Sequence, residues 1–159
     1  MKFKYLLIDI GGVLVLTKKI NYSVFDRELS LPEGTIKKII DDCFYQSVKG
    51  GGPNVRAYLE KNYSGVITFE KYNAILQEIY ASEFVNEPLV EWIKSLKAKG
   101  IIKVSALSNN TLVLEKLLST KFQIRELFDQ VFNSAEIKLA KTEPKYFEYV
   151  LNRLRAEPT

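Results

Sequence analysis

The sequence predicts an α/β fold built on a parallel sheet, with an all-helical segment inserted after the first strand. Three observations carry this. Short apolar runs ending in polar or glycine residues recur near residues 5–10, 101–107 and 130–133. Stretches with apolar residues at three- and four-residue spacing separate them. Strands alternating with helices in this way favour parallel pairing, because a parallel connection needs a crossover.

The first run, Tyr5-Leu6-Leu7-Ile8, shows no polar alternation and ends in Asp9-Ile10-Gly11-Gly12. That pattern suits a strand buried on both faces and running into a glycine turn. From about 17 to 85 the pattern is helical, with Val24, Phe25 and Leu29, then Ile36, Ile39, Ile40 and Phe44, then Tyr72, Ile75, Leu76 and Ile79. Gly50-Gly51-Gly52-Pro53 and Tyr63-Ser64-Gly65 punctuate it, and Thr68 is placed to cap its last helix. Asn86-Glu87-Pro88 opens a helix that Gly100 stops. A second strand, 101–107, ends in Ser108-Asn109-Asn110, and a helix with Leu112, Leu114, Leu117 and Leu118 follows. A third strand near 130–133 leads through the loop 134–142 into a helix from Glu143 to about Arg155, carrying Phe147, Val150, Leu151 and Leu154. The expected division is a core of 1–16 and 86–159, with a helical cap of 17–85.

Composition narrows the chemistry. The 159 residues are 47% hydrophobic, with 8 Gly and 5 Pro, enough for one sizeable core and a small accessory lobe. With a single cysteine, Cys43, no internal disulfide forms, and with no histidine a Ser-His-Asp triad is excluded and a zinc site has too few ligands. Catalysis therefore falls to carboxylates, hydroxyls, lysines and backbone groups. The apolar run at the N-terminus is shorter than a signal peptide's core, and far short of the roughly 20 residues that span a bilayer, so no membrane role and a cytoplasmic location are expected. The net charge of +4 comes from lysines scattered among acidic residues (Lys18-Lys19, Lys37-Lys38, Lys94, Lys97, Lys99), a solvated surface rather than a nucleic-acid patch.

Three polar groups stand after three separate strands: Asp9, Ser108 and Lys141. In a parallel sheet those ends share one edge, where ligands of open α/β sheets bind. A carboxylate attacking phosphorus needs the phosphoryl oxygens neutralised, which a lysine, a hydroxyl and backbone N–H groups supply. Gly11 and Gly12 would let the backbone approach a phosphate or a metal. Each residue also has a plainer reading: Asp9 as a loop-capping carboxylate, Ser108 as the cap of the following helix, Lys141 as a surface lysine.

Leu6-Leu7-Ile8-Asp9-Ile10-Gly11-Gly12-Val13-Leu14 resembles the first motif of the haloacid dehalogenase superfamily in its D-x-G-G-V-L variant. Leu107-Ser108-Asn109 resembles the second, and Ser134 through Lys141-Thr142-Glu143-Pro144 resembles the third. Each motif is weak alone, but their order and separations match, and the resemblance covers the whole chain. It looks nearest to the branch with glucose-1-phosphatase-like enzymes and the phosphatase domain of soluble epoxide hydrolases.

The resemblance implies a Rossmann-like sheet under a helical cap and a Mg²⁺-dependent phosphatase of small phosphorylated metabolites. Asp9 would form an aspartyl-phosphate and, with the Gly11 carbonyl, ligate Mg²⁺. Gly12, Ser108 and Asn109 would hold the phosphate, and Lys141 would tie it to Asp9. Two alternatives stand beside it: a catalytically silent module binding a phosphorylated ligand or a protein, and a dehalogenase using the same aspartate on carbon.

Departures from the pattern shape further expectations. Gly11 stands where family phosphatases carry a general acid, whose help is worth ~10²–10⁴-fold. That favours leaving groups needing no proton, such as acyl or anomeric phosphates. Lys138 replaces a glycine and Thr142 a proline in the third motif. The family's fourth motif, an acidic pair after a further strand, would follow where the sequence reaches Ala156-Glu157-Pro158-Thr159. Its absence predicts an incomplete core whose first strand has an open edge, hence a chain that self-associates and lacks Mg²⁺-dependent activity by itself. Phe25, Phe44 and Tyr45 are candidates for either pocket lining or lid core.

Overall fold

A computed structural model describes residues 4–48, 54–100 and 102–156. The elements run β1 (Tyr5–Asp9), β2 (Val15–Thr17), α1 (Tyr22–Glu28), α2 (Thr35–Ser47), α3 (Val55–Asn62), α4 (Phe69–Ala81), β3 (Glu83–Val85), α5 (Glu87–Ala98), β4 (Lys103–Ser108), α6 (Leu114–Thr120), a 3-10 turn (Arg125–Leu127), β5 (Gln130–Asn133), α7 (Ser134–Ile137) and α8 (Pro144–Leu154). The glycine-proline punctuation at 50–53 lies outside the described residues.

β1, β4 and β5 form a parallel sheet in the order β1-β4-β5. Asp9 lies level with Leu107 and Ser108 level with Asn133, so the three strands finish at one edge. Both faces of β1 meet apolar partners, as its unalternating sequence predicts. Leu6 and Ile8 pack with Val90, Ile93, Val104, Leu114 and Leu118 from α5, β4 and α6. Tyr5 and Leu7 turn towards Leu107, Phe132, Tyr146, Val150 and Leu154, the side covered by α8.

α8 corrects one expectation. Its buried stripe is Tyr146, Val150 and Leu154 at four-residue spacing, and Phe147 is exposed. Leu112 is likewise exposed and precedes α6, whose buried residues are Leu114 and Leu118.

Helices α1 to α4 bury a separate apolar cluster, centred on Phe25, Ile36, Ile39, Leu59, Tyr72 and Ile75. Within it the buried Asp26 carboxylate accepts the Gly34 N–H and the Ile36 N–H, both at 2.8 Å, so a side chain from α1 satisfies donors at the α2 N-terminus. Thr68 caps α4 by accepting the Lys71 N–H, as expected.

Two three-residue strands that the sequence reading missed, β2 and β3, pair antiparallel at the root of this lobe. Asn86 beside them does not cap α5 with its side chain. Its amide donates to the Val13 carbonyl at 3.1 Å and its N–H to Leu14 O at 2.8 Å, fastening the α5 entry to the turn after β1. Among the described residues no helix is long and apolar enough to cross a membrane.

Candidate active site

Asp9 is the last residue of β1, and the turn beyond it depends on glycine. Val13, Leu14 and Val15 all direct their N–H groups to the Ile10 carbonyl, which forces the chain back on itself. Gly12 takes φ +76, a left-handed conformation that costs a residue with a Cβ about 1–2 kcal/mol. Its N–H donates to Val15 O at 2.9 Å, so its part in the turn is the bend. Gly11 is exposed, and a Cβ built there meets nothing within 4 Å. The hydrogen bonds of the turn accept at Ile10 and Val15 and leave the Gly11 carbonyl out.

The Asp9 carboxylate is held at both oxygens. Oδ1 accepts the Ile10 N–H at 2.8 Å, and Oδ2 lies 2.6 Å from Lys141 Nζ. Lys141 reaches it from the loop before α8. There Glu143 N–H donates to the Ala140 carbonyl at 2.8 Å and Ala140 N–H donates to Glu143 Oε1 at 2.9 Å, a reciprocal clasp around Lys141 and Thr142. The Lys141 N–H donates in turn to Asn109 Oδ1 at 2.8 Å.

That bond is one of four ties between the loop after β4 and the segment running on from the end of β5, the Ser134 hydroxyl also donating to Asn110 O at 3.3 Å. Asn110 N–H donates to Ser134 Oγ at 3.1 Å, and the Asn133 amide donates to Thr111 O at 2.8 Å. Asn133 and Ser134 are buried at the end of β5. Sequence reasoning assigned Asn109 a backbone role, named Ser134 only as the start of the third motif, and did not find Asn133. Their signal is only a pair of small polar residues at a strand end.

Ser108 is buried at the end of β4, and the next helix begins six residues later with Val113 as its N-cap, so Ser108 does not cap it. The Tyr146 hydroxyl, fully buried on α8, donates to Phe132 O at 2.7 Å and receives the Ser108 N–H. Burial raises the pKa of this phenol most, the Ser108 N–H lowers it, and the Asp9 charge raises it. Tyr146 thus bridges the β4 and β5 ends beneath the site, and nothing in the helical pattern of α8 announced it. Lys138, in the glycine position of the third motif, takes φ +59.

A cavity of about 500 Å³ opens beside this edge, between Ile10, Gly11, Asn110 and Thr111 below and α2 and α4 above. That size suits a small-molecule ligand. Of the three aromatics in question, Phe44 lines it, Phe25 belongs to the core of the helical lobe, and Tyr45 is solvent-exposed.

The family model for haloacid dehalogenase-like hydrolases matches residues 3–159. The chain belongs to this family. The mouse bifunctional epoxide hydrolase 2 is 24% identical over 124 residues, covering 76% of this chain but only 20% of that protein, so the chain spans about a fifth of that relative's length. The magnesium complex of a haloacid dehalogenase family enzyme from Bacteroides thetaiotaomicron superposes with a TM-score of 0.74 at 22% identity, covering 99% of this chain and 81% of the other. A haloacid dehalogenase-like hydrolase from Porphyromonas gingivalis gives 0.72 at 18% identity, covering 99% and 79%. These likenesses bear out the α/β architecture. The family model assigns the chain to the haloacid dehalogenase-like hydrolases, and the chain's own geometry gathers Asp9, Ser108 and Lys141 at one sheet edge.

The donors at this edge suit a hard divalent cation. Mg²⁺ is commonly held through one or two carboxylates plus substrate phosphate, keeping several waters. The Asp9 carboxylate and the Gly11 carbonyl, which the turn's hydrogen bonds leave out, are the oxygens such an ion could use, although no cluster of three metal-ligating side chains occurs among the described residues.

Proposed function

We propose that this chain carries the site of a Mg²⁺-dependent phosphohydrolase of small phosphorylated metabolites, working through an aspartyl-phosphate at Asp9 beneath a cap formed by residues 17–85, with the core in 1–16 and 86–159. Whether these 159 residues turn over by themselves, against the expectation from the sequence, is decided by the assay below. The observation that carries this is the Lys141 ammonium 2.6 Å from the Asp9 carboxylate, at a strand end whose next residues, Ile10 and Gly11, line a cavity. Asp9 attacks phosphorus. Lys141 holds the carboxylate and neutralises a phosphoryl oxygen, and the Ser108 hydroxyl and Asn109 N–H take the others. Gly12 supplies the bend that lets backbone and phosphate approach. Mg²⁺, held by Asp9 and Gly11 O, would supply charge neutralisation on the phosphate. The apolar cluster of α1 to α4 and the ribbon β2–β3 support reading this lobe as a unit that covers the site.

The test is phosphate release from a phosphometabolite panel with Mg²⁺ and with EDTA, alongside beryllofluoride binding followed by calorimetry. Turnover and binding that both need Mg²⁺ and Asp9 are expected. Release untouched by EDTA, or by Asp9→Asn, rules the reading out.

A second reading, a silent module that binds a phosphorylated ligand, is favoured by Gly11, which puts no carboxylate where a general acid would stand. Beryllofluoride binding without turnover on any substrate selects it. We also place a cytoplasmic setting and self-association through β1 within this proposal. Among the described residues β1 pairs with β4 alone, leaving one edge able to template another strand. Light scattering that shows a monomer at all concentrations contradicts the association.

A further inference from the structure

The cavity beside Asp9 has walls of a definite character. With Ser47, Asn73, Gln77 and Thr111 as polar points, most of the lining is apolar: Phe44, Phe69, Leu76 and Ile79 from the helical lobe and Val113 and Leu117 from the core. A polyol placed here would leave hydroxyls without partners against these side chains, at a cost of about 1–3 kcal/mol for each group left unsatisfied. An aromatic or branched hydrocarbon group would instead gain by leaving water.

The floor of the cavity offers no ready proton. Gly11 lines it and carries no side chain. The two carboxylates among the lining residues are each paired with a lysine: Asp41 with Lys37 at 2.5 Å, and Glu83 with Lys121 at 3.0 Å. The Tyr72 phenol donates to Cys43, and burial raises the pKa values of both Tyr72 and Tyr80, away from proton donation near neutral pH.

We propose that this site selects phosphates whose leaving group is both apolar and acidic: aryl phosphates, and acyl phosphates of aromatic or branched acids. The proposal rests on the phosphohydrolase reading above. As an Asp9 oxygen bonds to phosphorus, the P–O bond to the leaving group breaks and its electron pair stays on the leaving oxygen. The phenolate or carboxylate departs without taking a proton from the protein. Water then hydrolyses the aspartyl-phosphate, giving inorganic phosphate, the free Asp9 carboxylate and one proton to solvent. A leaving group that is acidic already needs no donor at Gly11, and one that is apolar fills the cavity.

The experiment has a kinetic and a binding arm, both on the whole chain with Mg²⁺. The kinetic arm compares kcat/KM for phenyl phosphate, hexyl phosphate, benzoyl phosphate, acetyl phosphate and glucose 6-phosphate. Phenyl should exceed hexyl phosphate by at least a hundredfold, and benzoyl should exceed acetyl phosphate by at least tenfold. The binding arm measures benzylphosphonate against a polyol phosphonate of similar size by calorimetry, and benzylphosphonate should bind at least tenfold more tightly. Phe44→Ser, at a partly exposed position, should erase most of that preference, and Phe44→Leu should restore part of it.

Turnover of glucose 6-phosphate or acetyl phosphate as fast as their apolar counterparts overturns the proposal while leaving the phosphohydrolase reading intact. The phosphonate preference without any turnover keeps the apolar selectivity and removes the catalytic reading. Equal binding of the two phosphonates overturns the selectivity regardless of activity.

Discussion

Lys141 Nζ and Asp9 Oδ2 meet at 2.6 Å although Asp9 ends the first strand of the sheet and Lys141 lies on the loop leading into α8, beyond the third. The ammonium is placed to hold the carboxylate in one orientation and to meet incoming phosphate charge. Removing one such preorganised donor typically costs 10²–10³-fold in kcat. Lys141→Ala should lower phosphate release by about that factor, and Asp9→Asn should abolish it and also abolish beryllofluoride binding. A steady-state assay decides. Full activity in Asp9→Asn would remove Asp9 as nucleophile, and Lys141→Ala at wild-type rate would make Lys141 a surface lysine.

Gly11 is where an acid can be supplied. A Cβ there meets nothing within 4 Å, so the first atom of a side chain is accommodated without moving a neighbour. The new carboxyl should accelerate poor leaving groups such as sugar-alcohol phosphates by roughly 10–100-fold, part of the full general-acid effect, and acyl phosphates far less. Equal acceleration of both types would show that proton supply at this position does not limit the reaction.

Tyr146 ties the strand ends together, its hydroxyl donating to Phe132 O at 2.7 Å in a fully buried setting. Tyr146→Phe keeps the ring's packing but leaves a buried carbonyl without its partner, a loss of about 1–3 kcal/mol. Urea unfolding should show a lower midpoint with the slope unchanged. A midpoint equal to wild type would mean that water or a shifted strand replaces the bond.

How much of this was legible in the sequence depends on the length of the signal. β1 and β4 could be read because each is an apolar run ending in a polar group, β5 because Val131 and Phe132 stand between two helical stretches, and parallel pairing then brings Asp9, Ser108 and Lys141 to one edge. β2 and β3 could not, because three residues carry no measurable alternation and are stabilised by tertiary pairing. The ties from Asn109, Asn133 and Ser134 join segments far apart in the chain, and a polar side chain's distant partner leaves no periodic trace. Phe147 and Tyr146 are adjacent aromatics, and a one-residue rotation of α8 decides which is buried. The helical pattern alone does not fix that rotation.

Lys138 holds φ +59 in the third-motif loop, where the family pattern carries glycine. A side chain in the left-handed region costs of the order of 1–3 kcal/mol, and glycine in turn loses about 0.5–1 kcal/mol through its freer unfolded state. Lys138→Gly should therefore stabilise the chain by about 1 kcal/mol, a rise of roughly 2–4 °C in Tm for a protein of this size. Calorimetry measures it. A lowered Tm would mean that the lysine side chain makes a contribution larger than its backbone strain.

Tyr72 and Cys43 make the helical lobe sensitive to alkali. Tyr72 is buried on α4 and its hydroxyl donates to the Cys43 thiol. Burial first, and the neighbouring Cys43 second, raise the phenol above its ordinary value of 10.0. Burial likewise raises the Cys43 thiol above 9.0. A group whose folded pKa exceeds its unfolded pKa stabilises the fold fully below the unfolded value, and that contribution is lost as pH rises past it. Stability should therefore be flat with respect to these two groups up to about pH 9 and decline steadily above it. Tyr72→Phe removes the larger contributor, so its urea midpoint should fall less between pH 9 and 11 than that of the wild type, even if it starts lower for want of the hydrogen bond. Parallel declines in the two proteins would assign the alkaline loss to other groups.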